Sequence, residues 1–214
     1  KWVYDVATNN TMLDLVEDLI GKNILLYNAT FIIKEPKSKT HVSWHQDLTY
    51  WGFDKNEKQV SAWIALSNVN DLSGCMKMIP GSHKKGFFIH KSTNDSNNVL
   101  SRGQTVLNVE EDKAISCPLL PGEASFHHGL TLHASQPNKS NDRRIGLNLQ
   151  FISTDMQQLK SDNDSAILVR GKDNYNNFKI DIVAKNDFDD EGYERLLERN
   201  EHYNKTIREN SLDK

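Results

Sequence analysis

Cysteine and proline are scarce in this sequence, and no hydrophobic run is long. The 214 residues include two cysteines and five prolines, and the net charge is only -3. Cys75 and Cys117 are too few for a disulfide framework, so we expect free thiols. No apolar run approaches the roughly 20 residues that a membrane-spanning helix needs, and no basic stripe suggests a nucleic-acid-binding surface. These absences argue against a disulfide-rich secreted scaffold and favour a cytoplasmic protein whose partners are neither membranes nor nucleic acids.

The length of the chain predicts one domain. The 214 residues suffice for one sizeable core and are few for two. The first residue is Lys1 rather than Met, which leaves open whether an N-terminal part precedes it in the full protein. We expect a single domain over 1–214, with a β core at about 23–154 and helices at both ends.

Helical patterns occur near both ends of the sequence. Thr11 followed by Asp14 is a capping-box pattern, and Gly21 is a typical stop, so a helix is predicted over 10–21. A second helical period runs through the highly charged last thirty residues, which favours an amphipathic helix with a solvated face or one that mediates homo-oligomer contacts. Its apolar positions are Tyr193, Leu196, Leu197, Tyr203 and Ile207.

The middle of the chain has the pattern of many short strands separated by turns. Pro80-Gly81 and Pro121-Gly122 punctuate this region. Such a pattern predicts a mainly β protein with flanking helices, in the form of a sandwich or jelly roll, a cupin-like architecture that can hold a metal. The polar stretch 90–108 is predicted to be a long loop over one mouth of the barrel. The predicted strands are 24–27, 30–33, 60–66, 116–120, 124–128 and 144–153.

A His-x-Asp motif lies at His45-Gln46-Asp47. Side chains at positions i and i+2 of a strand share a face, so His45 and Asp47 can converge on one metal ion. A distant third ligand, His133, would complete two imidazoles and one carboxylate on one side of the metal. That arrangement leaves the opposite side open and is typical of non-haem Fe(II) oxygenases.

Three histidines compete for the distal position, and a hairpin argument favours His133. Folding the chain about the polar turn 137–142 brings His133 opposite Arg144 at cross-strand distance. Arg144 could then grip a carboxylate, such as the far carboxylate of 2-oxoglutarate, without binding the metal. His127 and His128 are predicted to be pocket-wall residues or core histidines with a satisfied partner.

Arg143 is the rival of Arg144 for this role. The opposite parity of Arg143 in the strand should turn it away from the site, unless a bulge in the hairpin reverses the two. We therefore favour Arg144 as the carboxylate anchor.

Several segments in order make the sequence similar to the phytanoyl-CoA dioxygenase (PhyH) family of Fe(II)- and 2-oxoglutarate-dependent oxygenases. The resemblance covers about residues 23 to 153. The matching segments are Trp44-His45-Gln46-Asp47, Ala62-Trp63-Ile64-Ala65-Leu66, Gly74-Cys75-Met76, Ile79-Pro80-Gly81-Ser82-His83, Pro121-Gly122-Glu123 and His133-Ala134-Ser135-Gln136-Pro137-Asn138, followed by Arg144.

This resemblance implies a double-stranded β-helix and a set of functional residues. It implies iron bound by His45, Asp47 and His133. It also implies that Arg144 binds the C5 carboxylate of 2-oxoglutarate, that Ser135 assists Arg144, and that Trp63 lies near this cosubstrate. Halogenating relatives lack the carboxylate that Asp47 retains, so the implied reaction is hydroxylation that consumes O2 and 2-oxoglutarate and releases succinate and carbon dioxide.

A weaker resemblance, to a bacterial branch that includes hydroxylases of aminophosphonates such as 2-aminoethylphosphonate, implies a small polar substrate. Arg102 is the candidate for an anionic headgroup, although it could equally be a solvated loop residue. The candidate pocket walls are Tyr50, Trp51, His83 and Asn98.

Two other interpretations of the site remain open. The same ligands could hold zinc in a protein with a binding or sensing role, although Arg144 and Trp63 would then have no purpose. Alternatively, an oxygenase with this site could act on an acyl chain or a protein side chain.

Overall fold

The computed structural model describes residues 1–100 and 103–211, with side chains through residue 204. The helices are α1 (Trp2–Ala7), α2 (Asn10–Ile20), α3 (Leu48–Trp51) and α4 (Asp190–Ser211). The strands are β1 (Ile24–Lys34), β2 (Val42–His45), β3 (Gln59–Ala65), β4 (Met76–Met78), β5 (His90–Ser92), β6 (Gln104–Val106), β7 (Ile115–Cys117), β8 (Ala124–His127), β9 (His133–Ser135), β10 (Arg144–Ser153), β11 (Ser165–Arg170) and β12 (Lys179–Ile180).

The strands form two larger sheets and a small hairpin. One sheet has the strand order β12–β11–β1–β10–β3–β8, the second has the order β2–β9–β4–β7, and β5 pairs with β6. Every residue of β3 is buried, and so is nearly all of β10. These two strands are covered on both faces, which explains their continuous apolar runs. The mainly β chain with helices toward both ends confirms the predicted fold class.

Helix α2 has the predicted extent but a different cap. The side chain of Asn9 accepts a hydrogen bond from the backbone N–H of Thr11 at 3.0 Å, so Asn9 is the N-cap. The prediction of a capping box at Thr11 and Asp14 is therefore wrong. Asn and Thr both favour this position, and an isolated pattern could not decide between them. Gly21 follows the helix with a φ of 94°, as its role as a stop requires.

The predicted hairpin between His133 and Arg144 does not form. His133 begins β9, which pairs with β2 and β4, whereas Arg144 begins β10 in the other sheet. The turn 137–142 therefore carries the chain from one sheet to the other. Buried Asn138 stabilises this crossover, because its Nδ2 donates to the carbonyls of Lys34 and Asp142 at 3.0 and 2.8 Å.

The stretch 90–108, predicted to be a loop, contains strands near both of its ends. β5 and β6 pair antiparallel, with His90 opposite Val106 and Ser92 opposite Gln104. The loop prediction holds only for part of the segment between them. The two strands predicted at 24–27 and 30–33 are one continuous strand, β1. Helix α1 and strands β11 and β12 were not predicted from the sequence.

The chain divides into two compact units. One consists of Lys1–Ala29, Tyr50–Val60 and the described residues from Leu149 onward, and the other consists of Thr30–Thr49 and Ser61–Asn148. The expectation of a single domain over 1–214 stays a prediction. Within the part of the chain that the structure describes, none of the helices is both long enough and apolar enough to cross a membrane.

Helix α4 is held in the first unit by Arg199. The guanidinium of Arg199 donates to the carbonyl of Tyr27 at 2.8 Å and to Asp164 at 3.0 Å, and it lies 5.1 Å from the ring centroid of Tyr27. The helix predicted for the last thirty residues is confirmed. Tyr193, Leu196 and Leu197 are exposed, and whether they mediate contacts in a homo-oligomer stays a prediction.

Candidate functional site

Three potential metal ligands converge in the second unit. His45 is the last residue of β2, and it lies opposite His133, the first residue of β9. Asp47 lies two residues beyond His45, in the turn before α3 rather than in the strand. One ligand atom from each of the three lies within 4.8 Å of the others. The Nε2 atoms of His45 and His133 are 3.3 and 3.6 Å from Oδ1 of Asp47.

Backbone carbonyls orient both imidazoles. Nδ1 of His45 lies 2.8 Å from the carbonyl of Ser43, and Nδ1 of His133 lies 2.9 Å from the carbonyl of Thr131. A proton on each Nδ1 can be donated to these carbonyls, which leaves the Nε2 lone pairs directed toward Asp47. This is the usual support of metal-binding histidines in proteins.

The electrostatics of the site favour the protonation states that a cation requires. Burial, and to a smaller extent neighbouring His45, lower the pKa of His133 to about 3 against the opposing effect of Asp47. Burial raises the pKa of Asp47, but His133, His127 and His45 outweigh this effect and hold it well below its usual range. His133 is therefore neutral and Asp47 is ionised, as metal ligands must be. Two imidazole nitrogens and one carboxylate suit a first-row divalent metal ion.

The second carboxylate oxygen of Asp47 has two further neighbours. Ser61 donates a hydrogen bond to Oδ2 at 3.2 Å, and Nε2 of His127 lies 3.6 Å from the same atom. His127 is buried, and neither of its ring nitrogens has a hydrogen-bond partner among the described residues. His127 was predicted to be a pocket-wall residue or a core histidine with a satisfied partner, and Asp47 is the polar group that its Nε2 approaches. His127 lies opposite Ser61 in the antiparallel β3–β8 pair, so both residues reach the same carboxylate oxygen.

Arg144 and Trp63 form a second cluster of buried side chains, and both carry N–H donors. Arg144 is 1% exposed, and its Nε and Nη2 atoms have no hydrogen-bond partner among the described residues. Its guanidinium lies 5.2 Å from the ring of Trp63, whose indole N–H is also buried without a described partner. Unpartnered buried donors are rare and costly, so these atoms fit a site for an anionic ligand.

Gly146 makes room for Trp63. A Cβ atom at Gly146 would lie 1.9 Å from Cζ2 of Trp63. No side chain larger than hydrogen fits there unless Trp63 moves. Sequence reasoning missed this glycine because it lies inside an apolar strand rather than in a turn.

Arg143 and Arg144 point in opposite directions. Arg143 is exposed and forms an ion pair with Glu35, with Nη2 2.6 Å from Oε1. Burial lowers the pKa of Arg144 to about 10, so it still carries its charge at neutral pH.

Lys34 is a buried cation that sequence reasoning missed. It is 1% exposed, and Nζ donates to the carbonyl and the hydroxyl of Ser135 at 3.0 and 2.7 Å and to the carbonyl of Gln136 at 2.5 Å. Burial and, to a smaller extent, the charge of Arg144 lower the pKa of Lys34 to about 7. The available signal was a lysine that ends the apolar run Phe31-Ile32-Ile33.

The described residues that were predicted to contact substrate belong to both compact units. Tyr50 and Trp51 belong to α3 in the first unit, where the ring of Trp51 lies 6.1 Å from that of Phe53. Their role stays a prediction, and Arg102 lies outside the described residues.

Asn98 and His83 are both in the second unit. The side chain of Asn98 forms a hydrogen bond with another side chain of this unit, because its Nδ2 donates to Ser43 Oγ at 2.9 Å. The ring of His83 lies 5.5 Å from that of His128. Neither contact tests whether these residues bind substrate.

Comparison with known proteins identifies similar chains. The model of the family "Phytanoyl-CoA dioxygenase (PhyH)" matches residues 2–146. A human protein named "Phytanoyl-CoA dioxygenase, peroxisomal" is 30% identical over 159 residues, which cover 72% of this chain and 47% of the human protein. A probable alpha-ketoglutarate-dependent hypophosphite dioxygenase from Stutzerimonas stutzeri is 32% identical over 154 residues, which cover 70% of this chain and 52% of that protein.

The fold has a match among solved structures. The non-heme monooxygenase ThoJ in its apo form superposes with a TM-score of 0.88 at 26% identity, covering 100% of this chain and 78% of that one. This match confirms the predicted jelly roll. The chain spans about half the length of the human and Stutzerimonas relatives, 47% and 52% respectively. From the extent of the family match, the chain belongs to the phytanoyl-CoA dioxygenase family.

Proposed function

We propose that this chain is an Fe(II)- and 2-oxoglutarate-dependent dioxygenase that hydroxylates a C–H bond of a small polar metabolite, with succinate and carbon dioxide as the other products. The observation that carries the proposal is the pairing of a three-ligand site with buried donors that have no partner. When bound, iron and 2-oxoglutarate supply the oxidising power by activating O2.

In this proposal the side chains hold the two cofactors and orient them. His45, Asp47 and His133 would hold the iron, and a set of three protein ligands leaves coordination positions for the cosubstrate and O2. Arg144 binds the far carboxylate of 2-oxoglutarate through charge-assisted hydrogen bonds. Ser135 and Trp63 add further donors to that carboxylate.

The substrate class is the finer part of the proposal. The Stutzerimonas relative is named for hypophosphite, which is a small anion, and this supports a small polar substrate. We propose an aminophosphonate such as 2-aminoethylphosphonate. The human relative is named for phytanoyl-CoA instead, so an acyl substrate is the competing outcome in a substrate screen.

The cellular setting is also a proposal. The free thiols of Cys75 and Cys117 support a reducing, cytoplasmic location.

The first experiment is an anaerobic titration of the metal-free protein with Fe(II) and then 2-oxoglutarate. We expect a visible metal-to-keto-acid charge-transfer band. Arg144→Ala should weaken 2-oxoglutarate binding by about 10-fold or more, because it removes the charged donor. Arg143→Ala is the matched control, since it removes the neighbouring but exposed arginine, and it should leave the titration unchanged.

Two outcomes would contradict the proposal or redirect it. A folded, iron-loaded protein without the band would refute the oxygenase and favour the zinc or binding interpretation. If the band appears, succinate release with 2-aminoethylphosphonate, hypophosphite and phytanoyl-CoA then distinguishes the polar from the acyl substrate class.

A further inference from the structure

Lys34 is a buried amine that has no acidic partner among the described residues. Its three hydrogen bonds all go to neutral acceptors on Ser135 and Gln136, and no carboxylate among the described residues forms an ion pair with it. A buried cation normally needs an anion, because desolvation of a lone charge is costly. The surroundings of Lys34 are therefore suited to an anion.

A second buried cation lies near Lys34. Arg144 is as deeply buried, and its charge lowers the pKa of Lys34 in addition to the effect of burial. Like charges repel each other, and an anion bound beside the two groups would offset that repulsion. The unpartnered Nε and Nη2 of Arg144 supply donors for that anion.

Lys34 also determines how the hydroxyl of Ser135 can be used. In its ammonium form Lys34 can only donate, so Ser135 Oγ accepts the bond from Nζ at 2.7 Å. The hydroxyl proton then stays free to be donated elsewhere, and no described residue receives it. Lys34 thereby keeps Ser135 as a donor.

We propose that Lys34 is a positioning and specificity residue of the cosubstrate site, where it makes Ser135 a donor and adds a second positive charge that selects a 2-oxo acid ending in a carboxylate. This inference rests on the proposed function, since it assigns the anion to 2-oxoglutarate. Lys34 acts through Ser135 and through the electrostatic effect of its positive charge, because its own N–H donors already bind Ser135 and Gln136.

The test compares two 2-oxo acids of equal chain length. 2-Oxopentanoate has a methyl group in place of the C5 carboxylate of 2-oxoglutarate, so both acids can chelate iron but only one presents the far anion. Dissociation constants are measured anaerobically on the Fe(II)-loaded protein from the charge-transfer band. Lys34→Gln removes the charge and keeps donors for the carbonyls, and Lys39→Met is the control because Lys39 is an exposed lysine that follows the same strand.

We expect Lys34→Gln to weaken 2-oxoglutarate binding by about 10-fold or more. Binding of 2-oxopentanoate should change by less than about twofold, which lies within the usual scatter of neutral substitutions. Lys39→Met should leave both values unchanged. Ser135→Ala should also reduce the preference for 2-oxoglutarate, and the double variant should lose less than the sum of the two single losses, because Lys34 acts partly through Ser135.

Other outcomes overturn the inference. An unchanged preference for 2-oxoglutarate in folded Lys34→Gln, or an equal loss for both acids, would give Lys34 a merely structural role. If Lys34→Gln does not fold, Ser135→Ala decides, and an unchanged preference in that variant refutes the inference. A wild-type protein without any band refutes the proposed function itself, which is a separate result.

Discussion

The two carboxylate oxygens of Asp47 have different neighbours. Oδ1 faces the Nε2 atoms of His45 and His133, and Oδ2 faces Ser61 and His127. One oxygen is thus available to a metal, while the other is held by the protein. Such outer contacts tune the affinity of a metal site even though they do not touch the metal.

Replacement of His127 should weaken metal binding. His127→Phe keeps an aromatic ring in the buried space and removes the nitrogen that lies 3.6 Å from Asp47 Oδ2. We expect Fe(II) or Co(II) affinity to fall by about 10-fold, as for other outer-shell ligands. Anaerobic metal titration measures this change. His41→Phe is the control, since the ring of His41 faces Asp95 instead, and equal affinities in the two variants would contradict the role of His127.

Gly146→Ala should destabilise the protein. The new Cβ would lie 1.9 Å from Cζ2 of buried Trp63, so the ring must shift. Overpacking of this kind costs roughly 1–3 kcal/mol of unfolding free energy. Urea denaturation measures the loss, and Gly192→Ala is a control whose Cβ meets its nearest atom at 3.3 Å. Equal stability of the two variants would show that the core around Trp63 adapts.

Among the elements, β10 and β9 show which features of a strand a local sequence pattern can predict. The predicted bounds of β10, Arg144 to Ser153, are confirmed. The predicted partner of β9 is wrong, because β9 pairs with β2 and β4. Apolar run length is local, whereas the partner of a strand depends on segments far away in the chain.

The segment before β3 is joined to the segment after β10 by Asp155. Its Oδ2 lies 2.7 Å from Nζ of Lys58 and 3.1 Å from Nζ of Lys55. Burial raises the pKa of Asp155, but hydrogen bonds from Lys58, Ser153 and Lys55 outweigh that and hold the pKa well below its usual range. The folded protein therefore binds a proton here less readily than the unfolded chain.

Asp155→Asn should destabilise the protein in a pH-dependent way. A lowered folded-state pKa gives stability that is fully present above the unfolded pKa of about 4 and is lost as the pH falls below it. We expect a loss of about 1–2 kcal/mol at pH 7 that shrinks toward pH 3. Urea denaturation of both proteins across this range measures the difference. A difference that does not change with pH would show that the charge of Asp155 contributes nothing.

At the scale of the whole molecule, the metal should stabilise the folded state by itself, and 2-oxoglutarate should stabilise it only after the metal has bound. A ligand that binds only the native protein adds about 2.7 kcal/mol when its concentration is 100 times its dissociation constant. We expect metal removal to lower the thermal midpoint, and 2-oxoglutarate to raise it only in the metal-loaded protein. Arg144→Ala should lose the increment from 2-oxoglutarate and keep the increment from the metal.

Thermal unfolding of the four combinations of metal and cosubstrate measures this order. Anaerobic conditions and a redox-inert metal avoid turnover during heating. Equal stabilisation by 2-oxoglutarate with and without metal would contradict the order and would mean that the acid binds without chelating the metal.

The sequence by itself determined the chemistry of the candidate site and the class of the fold. The residue types and order of His45, Asp47, His133 and Arg144, the mainly β pattern and the family motifs are all present in the covalent chain. Ligand identity depends on side-chain chemistry, and strand pattern depends on local alternation, so neither requires knowledge of distant contacts.

The tertiary structure alone decided which groups surround those residues. Lys34, His127 and Gly146 acquire their importance from segments that are distant in sequence, and β9 and β10 separate into different sheets for the same reason. A buried lysine and a surface lysine are identical letters in a sequence. Burial and the nearby charge of Arg144, which arise only when the chain folds, lower the pKa of Lys34.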